Sequence, residues 1–196
     1  MCNVDWVNVA STAVGAAIAL IGTVLANTLG NRGQRERDNR ADRRQSYLDF
    51  LLALNGAHAQ LRLVASNPDV ADFEYETQQA LSVNRVYEGR EKMLMSANRS
   101  VLAAGERSFM CLVRLRQAVN REARVHTVEY HEAYHAYANA LWDLRRVLRE
   151  DLGNGGLTPA DLDRAAWDGR ETCAFCQANA ATPTPTSAPT ALSSSI

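Results

Sequence analysis

An uncharged run over residues 6–29, WVNVASTAVGAAIALIGTVLANTL, constrains the fold of this chain more than any other feature. At a rise of about 1.5 Å per residue, a helix of this length is roughly 36 Å long, enough to cross the roughly 30 Å hydrocarbon core of a bilayer. The sequence therefore predicts one transmembrane helix, and we assign residues 1–30 as an N-terminal membrane anchor.

The charges on either side of this run predict its orientation. Residues 1–5 contain one acidic and no basic residue, whereas residues 31–44 contain six arginines and three acidic residues. Basic residues stay on the cytoplasmic side because their translocation is unfavourable. We therefore expect a bacterial inner-membrane protein with its N-terminus outside and its body in the cytoplasm. A cleaved secretory signal, the alternative, would carry its positive charge before the apolar run.

Residues 31–46 are predicted to form an Arg-rich juxtamembrane helix. Basic side chains beside a membrane bind anionic headgroups, at about 1 kcal/mol for each residue near the surface. The interleaved acidic residues equally suit a solvated helix with i,i+4 ion pairs. The residues expected to contact lipid headgroups are Arg32, Arg35, Arg37 and Arg40.

Small residues recur at helical spacing along the predicted span. Such residues let two helix backbones approach closely, and packing there drives self-association in lipid. The alternative explanation of this spacing is that alanine and glycine are simply abundant in bacterial membrane spans. We expect a homo-oligomer whose contact face consists of Ser11, Gly15, Ala19, Gly22 and Ala26.

The body of the chain, residues 47–152, has the apolar periodicity of helices and no alternating β pattern. Thr127 is suited to cap the last of these helices. Four amphipathic helices joined by short turns, the second of them over about residues 70–96, predict an all-α fold, specifically an antiparallel four-helix bundle. The strongest repeat, a coiled-coil-like seam with steps of four and three, comprises Tyr130, Tyr134, Tyr137, Leu141, Leu144 and Leu148.

The C-terminal region differs from the body in composition. Glycines at 153, 155 and 156 end the last helix of the bundle. A short helix is predicted over residues 157–169, where Thr158 and Pro159 form a helix start. Residues 177–196 are uncharged and rich in Ala, Thr, Pro and Ser, so we expect a disordered tail.

Residues 131–135, HEAYH, match the H-E-x-x-H pattern of zinc peptidases. On a helix the pattern places His131 and His135 one turn apart, where both imidazoles can bind zinc while Glu132 polarises a bound water. A third protein ligand is missing, since Leu141 stands where the extended motif has a histidine. No β-sheet is predicted to hold a substrate. The two histidines are equally explained as polar residues flanking the tyrosine seam.

Cys173 and Cys176 form a C-x-x-C pair. The pair can supply two thiolates to zinc or act as a dithiol redox couple. A redox couple is typical of a βαβ unit, which is absent here. A structural zinc needs two more ligands, and no second cysteine pair occurs nearby, although two chains of an oligomer can contribute one pair each. We predict no bound cofactor, with zinc at either motif as the alternative.

Three stretches resemble a set of uncharacterised actinobacterial single-span membrane proteins with a cytoplasmic helical body. They are RRQSYLDFL at residues 43–51, VYEGRE at 86–91 and AYHAYANALW at 133–142. The resemblance covers roughly residues 5–155, and its motifs are packing patterns. It implies the layout of anchor, juxtamembrane helix and helical body, and it implies no activity.

These features predict a non-enzymatic membrane-anchored protein. The net charge of −1, with the basic residues clustered beside the membrane, argues against nucleic-acid binding. We expect the helical body to act as an interaction or scaffold module that self-associates in the lipid bilayer and binds a protein partner of unknown identity. One alternative is a membrane-tethered zinc hydrolase that uses the HEAYH motif. Another is a small membrane-active effector or phage-like protein.

Overall fold

The computed structural model describes the backbone of residues 6–180, together with the side chains of residue 34 and residues 36–179. All regular secondary structure in this part of the chain is helical, so the predicted all-α class is confirmed. The α-helices are α1 (Trp6–Ser66), α2 (Phe73–Val83), α3 (Val86–Ser96), α4 (Arg99–Asn120), α5 (Val128–Asp151) and α6 (Ala174–Ala180). Two 3-10 turns, Pro159–Leu162 and Arg170–Thr172, lie between α5 and α6.

The predicted membrane span falls outside the residues whose side chains are described. Among the residues that can be assessed, no helix is both long enough and apolar enough to cross a bilayer. The oligomerisation residues predicted within the span, and Arg32 and Arg35 after it, likewise have no described side chains. Arg37 and Arg40 are exposed on α1.

Side-chain caps explain where the helices of the body begin. Asp72, Asn98 and Thr127 precede α2, α4 and α5, and each accepts a hydrogen bond from a backbone N–H in the first turn of its helix. Each cap satisfies one of the N–H groups that an α-helix leaves without an internal partner. The cap predicted at Thr127 is confirmed, with the Tyr130 N–H donating to its hydroxyl over 3.4 Å.

The core lies between the second half of α1 and helices α2 to α5. Aromatic and aliphatic side chains at helical spacing converge there, which is the arrangement that amphipathic helices adopt to remove their apolar stripes from water. Besides His135 of α5, the largest fully buried side chains on these helices are Tyr47, Phe50, Leu54, Leu61, Leu81, Val86, Met93, Leu112, Leu115, Tyr137 and Leu144.

The segment predicted as one helix between residues 70 and 96 is divided into α2 and α3. Arg85 adopts a left-handed conformation with φ 56° at the junction, and the Asn84 side chain donates to the Ala80 carbonyl over 2.8 Å. Gly56 on α1 permits this junction, because a Cβ there would overlap the Asn84 side-chain oxygen. The break between α2 and α3 thus lies where the chain at Asn84 closely approaches α1.

Helix α5 is attached to α1 by two hydrogen bonds, one near its middle and one at its C-terminal end. The Tyr137 hydroxyl donates to the Leu54 carbonyl over 3.0 Å, and the Tyr47 hydroxyl donates to the Asp151 carboxylate over 2.7 Å. Both tyrosines are fully buried, so each hydrogen bond satisfies a polar group removed from water. These contacts fix the position of the helix that carries His131 and His135.

The segment after α5 departs from the sequence expectation in two places. The helix predicted over residues 157–169 is reduced to the 3-10 turn Pro159–Leu162, where the Asp161 carboxylate accepts hydrogen bonds from the Thr158 N–H and hydroxyl. Residues 177–180, predicted to begin the disordered tail, are the end of α6. Residues 181–196 lie outside the described residues.

Candidate metal centre

Helix α5 presents two histidines from successive turns near its N-terminus. His135 is buried, with 1% of its surface exposed, and His131 is half-buried. Their rings lie 5.8 Å apart between centroids and are stacked at 29°. The spacing of four residues on a helix produces this arrangement, as the HEAYH motif predicts.

The C-terminal segment brings two cysteines to these histidines. Cys173 follows the 3-10 turn Arg170–Thr172, and Cys176 lies in α6. The Cys173 sulfur is 3.4 Å from His131 Nδ1, and the Cys176 sulfur is 3.1 Å from His135 Nε2. All four potential ligand atoms lie within 4.8 Å of one another. The two motifs of the sequence therefore form one His2Cys2 cluster.

The other nitrogen of each imidazole is held by a backbone carbonyl. His131 Nε2 lies 2.7 Å from the Val125 oxygen, and His135 Nδ1 lies 2.7 Å from the Asp168 oxygen. A carbonyl oxygen only accepts, so each of these nitrogens donates its hydrogen and leaves the lone pair of the other nitrogen toward the cysteines. Metal-binding histidines are typically oriented by a hydrogen bond of this kind.

The dimensions and composition of the cluster fit a tetrahedral zinc ion. Zn–N bonds of 2.0–2.1 Å and Zn–S bonds of 2.3 Å place neighbouring ligand atoms about 3.3–3.8 Å apart in a tetrahedron. The two imidazole–thiol distances, 3.4 and 3.1 Å, lie close to this range. Two thiolates with two imidazoles are a common ligand set of structural zinc sites.

The surroundings of the cluster affect the protonation of its ligands. Burial lowers the pKa of His131, against the opposing effect of its hydrogen bond to Val125. Burial raises the pKa of the Cys176 thiol, and the neighbouring Cys173 raises it further. A neutral imidazole is ready to bind a metal, whereas a thiol must first lose its proton, so metal binding here releases protons.

Aromatic contacts support the segment on either side of the cluster. Phe175, between the two cysteines, stacks on His131 with centroids 4.2 Å apart and planes 5° from parallel. Trp167 stacks on Trp142 of α5 at 4.8 Å and 14°. Arg164 also lies over the Trp142 ring, at 5.8 Å, and pairs with Glu171. These contacts pack the segment that contains the two cysteines against α5.

Glu132, the residue that would polarise a zinc-bound water in a peptidase, is exposed. It lines a surface cavity of about 280 Å³ together with His131, Arg170, Phe175 and Cys176. A catalytic zinc site has three protein ligands and a bound water, whereas this cluster offers four protein ligand atoms. A cysteine sulfur would therefore take the place of the water. The arrangement therefore differs from that of a zinc peptidase even though the five-residue motif is present.

Both halves of the cluster are visible in the sequence, but as two separate motifs. The two further ligands that a metal at Cys173 and Cys176 would need can come from the imidazoles of α5 in the same chain. The combined signal, H-x-x-x-H on one helix followed by C-x-x-C, supplies four ligands of the two types that zinc prefers. Counting ligands across the whole chain, rather than within each motif, would have suggested this combination, although only the fold shows that the two motifs meet.

Comparisons with known proteins give no match, whether with family models, curated proteins or solved structures. The fold and the cluster define an all-α protein with a potential metal centre between its last long helix and its C-terminal segment.

Proposed function

We propose that this chain is a membrane-anchored helical protein in which a structural zinc ion holds the C-terminal segment against the bundle. His131, His135, Cys173 and Cys176 would bind the ion. The observation that carries this proposal is the position of four ligand atoms within 4.8 Å of one another, drawn from two regions far apart in the sequence. In a structural site, metal binding contributes directly to folding.

The scarcity of buried side chains after α5 supports a structural role for the ion. Among the described residues after α5, 152–179, none is buried, and Leu152 alone is a partly buried apolar residue packed against the core. Apolar burial is the main favourable term in folding, so this segment has little of its own to offset the entropy of ordering it. A zinc ion bound by residues of α5 and α6 would supply the missing stabilisation.

The ligand count favours a structural ion over the zinc hydrolase that the HEAYH motif suggests. Catalytic zinc sites use three protein ligands and keep a fourth position for water or substrate, whereas structural sites use four protein ligands. Here Cys173 and Cys176 complete the set that His131 and His135 begin. We therefore propose a non-enzymatic interaction or scaffold module.

Removal of zinc is expected to release the C-terminal segment while the bundle stays folded. With a chelator present, trypsin should cleave after Arg164 at least about tenfold faster, a change of about 1.4 kcal/mol in the free energy of local opening. Cleavage after Arg116, within α4, serves as the internal control and should not change. Cleavage sites are identified by mass spectrometry, and added zinc should restore protection at Arg164. Equal cleavage with and without chelator would contradict the proposal.

The membrane anchor and the self-association of its helix belong to the same proposal. They rest on the uncharged run at residues 6–29, the arginines that follow it and the spacing of the small residues. The zinc-bound body, a bundle of the second half of α1 and helices α2 to α5, would then lie on the cytoplasmic side, available to a protein partner.

Gly15→Leu is expected to reduce crosslinked oligomers of the full-length protein in membranes, because leucine would separate the two closely packed helices. Ala17→Leu is the matched control, since a shift of two positions places the new side chain on the opposite side of the helix. The yield of crosslinked dimer should fall at least about fivefold in the first variant, equivalent to about 1 kcal/mol, and stay unchanged in the second. Equal yields of crosslinked dimer from both variants would contradict the predicted contact face. Release of the protein from membranes by alkaline carbonate would contradict the membrane anchor.

A further inference from the structure

We propose that Cys173 and Cys176 are a reversible oxidation site, at which a small hydroperoxide converts the zinc-bound thiolates to a disulfide, expels the zinc and frees the C-terminal segment. This inference rests on the zinc centre proposed above. It assigns a second role to the same two sulfurs and names the class of reactant that acts on them.

Both sulfurs are accessible to a small oxidant. Cys173 and Cys176 are half-buried, and each lines a different surface cavity. Cys173 borders a cavity of about 240 Å³ with Arg62, Gly169 and Thr172. Cys176 borders the cavity of about 280 Å³ that contains Glu132 and Arg170. Both cavities far exceed the roughly 30 Å³ that a water molecule occupies, and a hydroperoxide is only slightly larger than water.

The two sulfurs are also placed to react with each other. Both belong to the set of ligand atoms that lie within 4.8 Å of one another. Two intervening residues on a helical turn are the spacing of dithiol redox pairs. A C-x-x-C redox pair is typical of a βαβ unit, which is absent from the described part of the chain. That expectation concerns dithiol enzymes, whereas the oxidation proposed here acts on thiolates that bind zinc beside a helical bundle.

The proposed reaction balances without any reactant beyond the hydroperoxide and two protons. With hydrogen peroxide as the hydroperoxide, one thiolate attacks the O–O bond, forming a sulfenic acid and releasing water after protonation. The second thiolate attacks the sulfenic sulfur, which forms the S–S bond and releases a second water after protonation. The two thiolates lose two electrons in total, and the hydroperoxide gains them. Zinc leaves because the two sulfurs of a disulfide are neutral and bind the ion far more weakly than thiolates do.

Oxidation would detach the segment because the new bond cannot replace the metal. A disulfide between Cys173 and Cys176 closes a loop of only two intervening residues and makes no link to α5. Zinc, in contrast, connects that segment to His131 and His135. After its loss, the segment keeps only contacts such as the Phe175–His131 and Trp167–Trp142 stacks. In a reducing cytoplasm, thiols would reverse the disulfide and permit zinc to return.

The experiment uses full-length protein purified in detergent with Cys2→Ser and Cys111→Ser, so that Cys173 and Cys176 are the only thiols. Zinc per chain is measured first. Hydrogen peroxide is then added in a graded series while a chromogenic chelator records released zinc and mass spectrometry records the cysteine-containing peptides. We expect release of about one zinc per chain together with a loss of about 2 Da in the peptide that spans both cysteines. Dithiothreitol with added zinc should restore the starting state.

Three other outcomes are informative. Zinc that stays bound through peroxide treatment would overturn this inference and leave the structural zinc intact. Zinc released with sulfinic or sulfonic acids and no disulfide would also overturn it, because that oxidation is not reversible by thiols. Protein that contains no zinc before peroxide is added would overturn both the inference and the proposed function.

Discussion

His135→Ala is expected to lower the zinc affinity of the protein by more than about 100-fold, since loss of groups that merely orient a ligand already costs 10–100-fold. His135 supplies a ligand nitrogen 3.1 Å from the Cys176 sulfur and is fixed by the Asp168 carbonyl. The measurement is competition with a chelator of known affinity, followed by zinc analysis of the dialysed protein. The wild type should retain about one zinc per chain and the variant almost none.

Two further variants separate loss of the ligand from loss of packing. His126→Ala removes an exposed histidine just before α5 that lies outside the cluster, so this variant should keep its zinc. Cys173→Ser removes a ligand from a half-buried position with little change in volume, so it should lose zinc without leaving a cavity. Equal zinc contents in His135→Ala and His126→Ala would contradict the assignment of the site.

Phe50→Ala is expected to lower the free energy of unfolding by about 3–5 kcal/mol, the usual cost of removing a buried aromatic ring. Phe50 is 1% exposed and lies where α1 approaches two other helices. A Cβ on Gly89 would stand 3.1 Å from the Phe50 Cα, and one on Gly105 would stand 3.5 Å from its ring. The absence of side chains at both glycines gives the ring its room between the three helices.

Leu52→Ala is the matched control for this prediction, because Leu52 is on the same helix and is 69% exposed. Its cost should stay within about 0.5 kcal/mol, as is usual for surface positions. Urea unfolding of the full-length protein in detergent, followed by circular dichroism, measures both variants. Similar unfolding midpoints for the two variants would show that the core does not lie where the structure places it.

Helical periodicity was sufficient to predict the class of fold and much of the core. The seam of α5 illustrates this, because Tyr130, Tyr137 and Leu144 are buried as their spacing predicts and Tyr134 is half-buried at its edge. The Thr127 cap followed from its position before a periodic run. These features depend on neighbours within a few residues, which is the range over which sequence patterns carry information.

The division between α2 and α3 could not be predicted in the same way. It depends on Arg85, which adopts a left-handed conformation that arginine seldom occupies, and on the close approach of Asn84 to Gly56 of α1. The sequence of the segment itself contains neither glycine nor proline at the break. Tertiary contact therefore overrode local preference at this junction.

The metal cluster was predictable in its parts but not as a whole. HEAYH and C-x-x-C each specify a pair of ligands through local spacing. The chain between α5 and Cys173 has no periodic pattern that indicates its direction, so nothing in the sequence shows that it returns to the N-terminal turns of α5. Its course depends on long-range contacts such as the Trp142–Trp167 stack and the Asp168–His135 hydrogen bond.

The most direct test of the zinc centre is X-ray absorption at the zinc edge of the purified full-length protein. We predict a first shell of two sulfur ligands at about 2.3 Å and two nitrogen ligands at about 2.0–2.1 Å, at a stoichiometry of about one zinc per chain. A first shell without sulfur, or with an oxygen ligand from water, would contradict the closed structural site and favour a catalytic one. Protein purified without any zinc would contradict the metal centre itself.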